Sequence, residues 1–277
     1  MLSCLVGSEM CIRDRPLDFE YVKNIIDKEN EKGVVEGVIV QFGGQTPLRI
    51  ANKLKEYGYK ILGTSFEAID ISEDRERFQK LIQKVGLKQP KSDISLGTKE
   101  LVTKSSKLKF PILLRPSYVL GGRMMEKMAN LDDVQDYIDQ NYWALENNVI
   151  LIDEFLQNAK EVDVDVLRDN KGNTMIAGIM EHIEEAGIHS GDSACSIPPF
   201  SLNDNIISDI KKFSISLVNE LKILGLMNIQ YAIKDDEIFI LEANPRASRT
   251  IPFLAKAIGI PFIKIAAELI VGKTLTE

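Results

Sequence analysis

Met227-Asn228-Ile229-Gln230-Tyr231-Ala232-Ile233 and Ile238-Phe239-Ile240-Leu241-Glu242-Ala243-Asn244, joined by Lys234-Asp235-Asp236-Glu237, read as the two strands of a hairpin. A three-residue loop of Asp235, Asp236 and Glu237 pairs Lys234 with Ile238 and sets Gln230 opposite Glu242. The same register pairs Tyr231 with Leu241 and Ile233 with Phe239 on the opposite, apolar face. A two-residue loop would set Ile229 against Glu242 and mix the faces, so the pattern favours the longer loop. Gln230, Glu242 and Asn244 then share one side of the sheet. One carboxylate and two amide oxygens suit a hard cation such as Mg²⁺, which keeps waters and binds substrate phosphates.

Pro245-Arg246-Ala247-Ser248-Arg249 follows at once and brings two guanidinium groups to the expected start of a helix. Arginine forks and a helix N-terminus together make an anion site. A cation site beside an arginine pair is what phosphoryl transfer requires, because charge on the transferring group must be neutralised by metal and positioned donors. The plainer reading, a salt bridge from Glu242 to Arg246 or Arg249, does not account for the co-facing Gln230 and Asn244.

Upstream, Glu161-Val162-Asp163-Val164-Asp165-Val166-Leu167 alternates with period two, so its carboxylates share one face; such a face is usually solvated. The turn Asp169-Asn170-Lys171-Gly172-Asn173 joins it to a second strand, Thr174 to Met180. Both histidines lie in the polar segment from Glu181 to Ser193, a ligand loop by composition, although each histidine alone reads as an ordinary loop residue and metal-ligand spacing is absent. A helix from about Asp204 to Leu224 separates this segment from the hairpin.

Nearer the N-terminus, Phe110 to Arg115 reads as a strand, Tyr118 to Arg123 as a glycine loop feeding a strand around Met125, Leu131 to Tyr142 as an amphipathic helix, and Val149 to Ile152 as a buried strand. The first unit has a helix over Phe19–Asp27, a strand at Gly37–Gln41 and a helix through Leu54. Thr46 and Pro47 suit its N-cap and first position, after a Gly43-Gly44 turn able to hold a phosphate or only to turn the chain. The strand Lys60–Gly63 completes this unit. Ser72 is the expected cap of a charged helix that ends at Gly86, and a boundary falls near Ile71. Residues 1–15 lack periodicity and read as an artefactual leader.

The 277 residues, 44% hydrophobic and 27% charged, can bury a sizeable core. A net charge of -7 argues against general affinity for nucleic acid or anionic membranes, so anionic ligands must be held by local arginines. Cysteines at 4, 11 and 195 form neither a disulfide framework nor a zinc site, and Cys195 reads as packing. No apolar run reaches membrane-span length and no signal peptide is evident, so a soluble, cytoplasmic setting is expected.

Leu241-Glu242-Ala243-Asn244-Pro245-Arg246-Ala247-Ser248-Arg249-Thr250 closely resembles the metal-binding motif of carbamoyl-phosphate synthase large subunits. Four further segments agree in order and spacing: Gln41–Pro47, Arg115–Arg123, Glu161–Asp165, and Glu181 through Ser193. Tyr118–Arg123, Ala194-Cys195-Ser196 and Thr250–Phe253 resemble the second, carbamate-phosphorylating half of that family.

The resemblance implies an α/β and α+β chain: an ATP-grasp fold over residues 72–277, preceded by a partial, Rossmann-like pre-ATP-grasp domain over 16–71. It implies ATP with Mg²⁺ or Mn²⁺ as cofactors. Arg115 would contact phosphate, and Gly121 and Gly122 would let a loop close over it. Glu154 and Leu156 would border the adenine, although Glu154 departs from the basic or neutral residue expected there. Glu161 would accept from ribose, and Gly187, Ile188, His189 and Ser190 would line the pocket. Gln230, Glu242 and Asn244 would hold the metal; Arg246 and Arg249 would bind the transferring phosphoryl group or carbamate.

The implied reaction is ATP plus carbamate giving ADP and carbamoyl phosphate, by positioning and charge neutralisation without a covalent enzyme intermediate. It would feed pyrimidine and arginine biosynthesis, with the remainder of a large subunit and a glutaminase small subunit as partners. Another ATP-grasp carboxylate-amine ligase, or a truncated module that binds Mg-ATP without turning it over, are the alternatives.

Overall fold

The computed structural model describes residues 16–116, 124–187 and 193–277. Its first unit begins with α1 (Phe19–Asn30), whose N-cap Asp18 accepts from Tyr21 N. Parallel strands β1 (Val38–Ile39) and β2 (Ile61–Leu62) flank α2 (Gln45–Glu56). Ile26, Val40, Leu48, Ala51, Leu54 and Ile69 form its core.

The expected cap of α2 is corrected. Gly44 occupies the N-cap at φ 73, in the left-handed region that threonine adopts only with strain, so Thr46 and Pro47 lie inside the first turn. Pro47 is tolerated there because first-turn N–H groups have no intrahelical acceptor. Ser72 is likewise not a cap. It lies within α3 (Phe66–Glu73), donating Oγ to Ala68 O, while an extended Asp74 breaks the chain and caps α4 (Arg75–Val85) through Arg77 N. Gly86, left-handed at φ 78, ends α4 as expected.

An antiparallel sheet follows, in the order β3 (Ser92–Leu96), β6 (Val149–Glu154), β4 (Ile112–Pro116), β5 (Glu126–Met128). Leu101 of α5 (Leu101–Ser105) and Val134, Tyr137, Ile138 and Leu145 of α6 (Leu131–Leu145) cover one of its faces. Of the strand expected to be buried throughout, only Ile150 and Ile152 reach this core; period two turns Val149 and Leu151 the other way.

The larger sheet runs β11 (Glu237–Asn244), β10 (Gly225–Lys234), β7 (Lys160–Arg168), β8 (Thr174–Glu185), β9 (Cys195–Ser196). One face presents Val162, Val164, Val166, Ile229, Tyr231, Ile238 and Ile240 to α4 and to α7 (Asp204–Glu220). Each such side chain contributes about 1.5–3 kcal/mol on burial, which makes this layer the main anchor of the sheet. On the other face, α8 (Thr250–Ile258) and α9 (Phe262–Ile270) pack Ile251, Leu254, Phe262 and Leu269 over Leu167 and Leu226. The rest of that face is the region of interest.

Candidate active site

The hairpin β10–β11 brings Gln230 opposite Glu242 by a different route from the one its pattern suggests. The loop has two residues, Asp235 and Asp236, both with positive φ, and pairs Lys234 with Glu237 and Tyr231 with Ile240. Between Tyr231 and Gln230 the register then shifts by one, with Leu241 as the extra residue of a β-bulge. Strict alternation from Ile238 and Ile240 would have driven Glu242 into the hydrophobic layer. The bulge returns Glu242 and Asn244 to the other face and Ala243 to the core. Phe239 and Leu241, expected on the apolar side with Tyr231 and Ile233, instead stand on the same face as Glu242, packing with Leu156, Ala159, Ala186 and Ala232.

That face therefore has a small apolar patch at one end, polar groups in the middle, and α8 and α9 over the other end. In the middle, Asp163, Gln230 and Glu242 form one cross-strand row, and Asp165, Asn228 and Asn244 the next. Asn244 Nδ2 donates to Glu242 Oε1 at 2.7 Å. Glu242 is exposed, Gln230 half-buried and Asn244 buried. No ion pair of Glu242 with Arg246 or Arg249 is found among the described residues, so the plain salt-bridge reading fails. No group of three or more His, Cys, Asp or Glu suited to a metal occurs among the described residues either. A cation here would be held by one carboxylate and amide oxygens, with ligand phosphates completing its shell, which fits Mg²⁺ better than a soft metal.

The acid face of β7 is buried, not solvated: Glu161, Asp163 and Asp165 are at most 5% exposed. The signal for their shared face was the period-two alternation; their partners lie on distant segments. His182, expected in a loop, is a buried residue of β8 because that strand continues to Glu185. Its Nε2 meets Asp163 Oδ2 at 2.8 Å, and Nδ1 lies 3.9 Å from Glu161 Oε1. Burial pulls the imidazole down, but the hydrogen bond and charge of Asp163, with Glu161 and Glu184, outweigh it and raise its pKa.

Burial raises the Glu161 carboxyl against the opposing effects of His182 and of the Gly187 N–H, which donates to Oε2 at 3.3 Å; the charges of Asp163 and Glu242 add to the rise. Asn228 Nδ2 bridges Asp163 and Asp165 at 3.2 and 3.1 Å. Burial of Asp165 pushes its pKa up to about 6, although Thr250, Ser248 and Asn228 donate to it. Cys195, opposite His182 across β8–β9, has its thiol pushed up by burial and by Asp163, which suits packing and not nucleophilic attack.

The arginine turn follows directly from β11. Ser248 Oγ and Thr250 Oγ1 donate to Asp165 Oδ2 at 3.0 and 2.8 Å, and Ile251 N donates to Ser248 Oγ, so a buried acid fixes the start of α8. Arg249 occupies the N-cap of α8. Arg246 is half-buried; its Nε has no hydrogen-bond partner among the described residues, and Nη1 donates to Ala247 O at 3.3 Å.

The other sequence-nominated residues are less gathered. Arg115, on β4, gives Nε and Nη2 to Asp153 Oδ2 at 3.0 and 2.7 Å, and Arg75 of α4 holds the same carboxylate. Glu154, next in β6, accepts from Lys109 N at 2.9 Å. Leu156 belongs to the apolar patch, and Gly187 stands at the end of β8 beside Phe155. Gly121, Gly122, Ile188, His189 and Ser190 lie outside the described residues. Sequence reasoning missed Asp163, Asp165, His182, Asn228, Ser248 and Thr250 as one connected network.

Among the described residues no helix is long and apolar enough to cross a membrane. The chain's fold is shared with the biotin carboxylase domain of a Hydrogenobacter thermophilus 2-oxoglutarate carboxylase, solved with MgADP, ADP and bicarbonate, at TM-score 0.74 and 18% identity, covering 95% of this chain and 59% of that one. It is also shared with a Thermotoga maritima N5-carboxyaminoimidazole ribonucleotide synthetase, at TM-score 0.62 and 20% identity, covering 81% and 55%. These likenesses support the ATP-grasp architecture.

Similarity in sequence is much stronger to the carbamoyl phosphate synthase large chain of Archaeoglobus fulgidus, 51% identical over 262 residues, 95% of this chain and 24% of that protein. The C-terminal section of the Aquifex aeolicus large chain is 47% identical over 262 residues, 95% of this chain and 48% of that protein. The chain thus spans about a quarter of the full-length relatives and about half of that section. The carbamoyl phosphate synthase preATP-grasp domain matches residues 8–71, and the carbamoyl-phosphate synthase L chain ATP binding domain matches residues 74–277. The chain accordingly belongs to the carbamoyl phosphate synthase large-chain family, with the pre-ATP-grasp and ATP-grasp domains of that family in sequence.

Proposed function

We propose that this chain phosphorylates carbamate with MgATP, giving carbamoyl phosphate and ADP, as the second synthetase half of a carbamoyl phosphate synthase large chain. The observation that carries the reading is the divided face of the larger sheet. An apolar patch of Leu156, Ala159, Ala186, Ala232, Phe239 and Leu241 adjoins the row of Gln230 and Glu242, and the arginine turn emerges beyond Asn244. A flat base suits the patch, phosphates suit the polar row, and an anionic acceptor suits Arg246 and Arg249.

On this reading residues 16–71 form a partial pre-ATP-grasp domain and 72–277 the ATP-grasp domain. Glu161 accepts from ribose, Leu156 and Glu154 border the base, and Gly187 with Ile188, His189 and Ser190 lines the nucleotide. Arg115 and the glycines at 121 and 122 attend the phosphates. Gln230, Glu242 and Asn244 hold Mg²⁺ or Mn²⁺; a divalent ion bound there supplies charge neutralisation to the nucleotide phosphates. Arg246 and Arg249 orient carbamate for in-line attack of its oxygen on the γ-phosphorus, while the buried network behind them holds the turn still. Carbamate is already an anion, so the protein need not provide a general base.

The remainder of a large chain and a glutaminase small subunit supply carbamate, and the product serves pyrimidine and arginine synthesis. The test is ATP formation from carbamoyl phosphate and MgADP by the purified chain, beside acetyl phosphate as the competing acyl phosphate. ATP from carbamoyl phosphate in clear preference supports the reading. Preference for acetyl phosphate points to a carboxylate-activating ligase, and MgADP binding without ATP from either points to a nucleotide-binding module.

A further inference from the structure

The glycine-rich turn after β1 suggests a phosphate loop by composition, but its first residue has a different task. Gln41 is wholly buried. Its Nε2 donates to Pro245 O at 2.9 Å and to Thr64 Oγ1 at 3.0 Å, with Leu226 O at 3.4 Å, and its Oε1 accepts from Thr64 N at 3.1 Å. Its own carbonyl accepts from Ala247 N at 2.9 Å. One residue of the first unit thus holds the carbonyl before Arg246 and the amide after it.

The surroundings are shaped to this side chain. A Cβ at Gly63, which has φ +95, would lie 2.2 Å from Gln41 Oε1. Thr64 in turn accepts from Leu224 N and donates to Leu224 O, tying the same bracket to the start of β10. Asp165 fixes the other end of the arginine turn through Ser248 and Thr250. Arg246 therefore sits in a segment clamped from two domains, with the half nearest its own peptide groups held by Gln41.

We infer that Gln41 is a positioning residue for the anion-binding turn: through Pro245 O and Ala247 N it sets the backbone from which Arg246 reaches the phosphoryl group or its acceptor. The inference rests on the role given to Arg246 above. A residue that merely glues two domains would change stability and nucleotide binding together. A positioning residue raises KM for the anionic substrate while leaving nucleotide affinity alone, because a small misplacement of one arginine costs about tenfold or more at the group it touches.

The test compares the full chain with Q41E, which keeps the acceptor for Thr64 N but sets an oxygen against Pro245 O, and with Q41M, which keeps volume and removes both functions. Thr64→Ser is the control that retains the hydroxyl. In ATP formation from carbamoyl phosphate and MgADP, both Gln41 variants are expected to raise KM for carbamoyl phosphate at least tenfold, with the MgADP Kd within twofold of the parent and Thr64→Ser unchanged. Equal KM values in folded variants, or KM and MgADP Kd rising together in step with lost Tm, overturn the inference.

If the parent forms no ATP, the functional reading fails, and Gln41 is judged by the NMR cross-peak of Arg246 Nε–H, assigned with Arg246→Lys. A shift on adding inorganic phosphate to the MgADP complex of the parent, absent in Q41E and Q41M, sustains the positioning role. Equal shifts, or none in the parent, refute it.

Discussion

Replacing Asp165 by asparagine isolates the electrostatic cost of the buried network. The carboxyl is wholly buried, and its pKa stands at about 6 against an ordinary 3.8, which corresponds to about 3 kcal/mol. The sign follows from linkage: the native state binds this proton more tightly than the unfolded chain. The group's contribution is most favourable below pH 3.8, declines as pH rises to about 6, and is flat above that. Asparagine cannot ionise, so it does not suffer this decline. It does disturb the donors Asn228, Ser248 and Thr250, a loss of about 1–3 kcal/mol that is the same at every pH. Urea unfolding of parent and Asp165→Asn at pH 4, 5, 6 and 7 separates the two effects, since titrating groups that do not interact with Asp165 cancel in the difference and Asp163 is the charge coupled to it. The stability of the variant relative to the parent should climb by about 2 kcal/mol between pH 4 and 7, part of the full effect having already occurred by pH 4. A flat difference, or one that falls, refutes the reasoning.

Three further perturbations probe other parts of the account. Tyr231→Phe leaves the buried Ser214 hydroxyl without the partner it meets at 3.0 Å and should cost about 1–3 kcal/mol in urea unfolding, with Ser214→Ala adding little on top. Deleting Leu241 turns the bulge into regular pairing: Glu242 then directly follows the core-facing Ile240 and stays on the site face opposite Gln230. A cooperative melt should therefore persist, at a cost of up to about 3 kcal/mol for the lost Leu241 packing, and loss of the cooperative melt would disprove the assigned register. Gly187→Ala places a Cβ 2.8 Å from the Phe155 ring at φ +104, so both Tm and MgADP affinity by calorimetry should fall, and parental values for both would remove Gly187 from the site.

The pairing of Gln230 with Glu242 was legible because the carboxylate and amide recur at compatible spacing in two apolar strands. The bulge was not, since Ile238-Phe239-Ile240-Leu241 is apolar at every position and gives period two nothing to discriminate. Its cause is tertiary: the site face is itself apolar at that end, where Phe239 and Leu241 meet Ala186 and Ala232. The alternation of Glu161, Asp163 and Asp165 was equally plain, but their burial depends on His182, Asn228, Ser248 and Thr250, which approach only when three strands and a helix start assemble. Gln41 is further from legibility still, because its chief acceptor is a backbone carbonyl 204 positions away. Helix starts were misplaced where a glycine or an aspartate competed with a threonine or a serine for the cap.

The most direct test of the account is ATP formation from carbamoyl phosphate and MgADP by the parent, by Glu242→Ala, and by Asp136→Ala on the exposed side of α6 as control. The account predicts ATP from the parent and the control, and a loss of about 100-fold or more in Glu242→Ala with its fold intact. Equal rates in parent and Glu242→Ala would contradict it, because phosphoryl transfer would then be taking place somewhere other than the face that Gln230, Glu242 and Asn244 define.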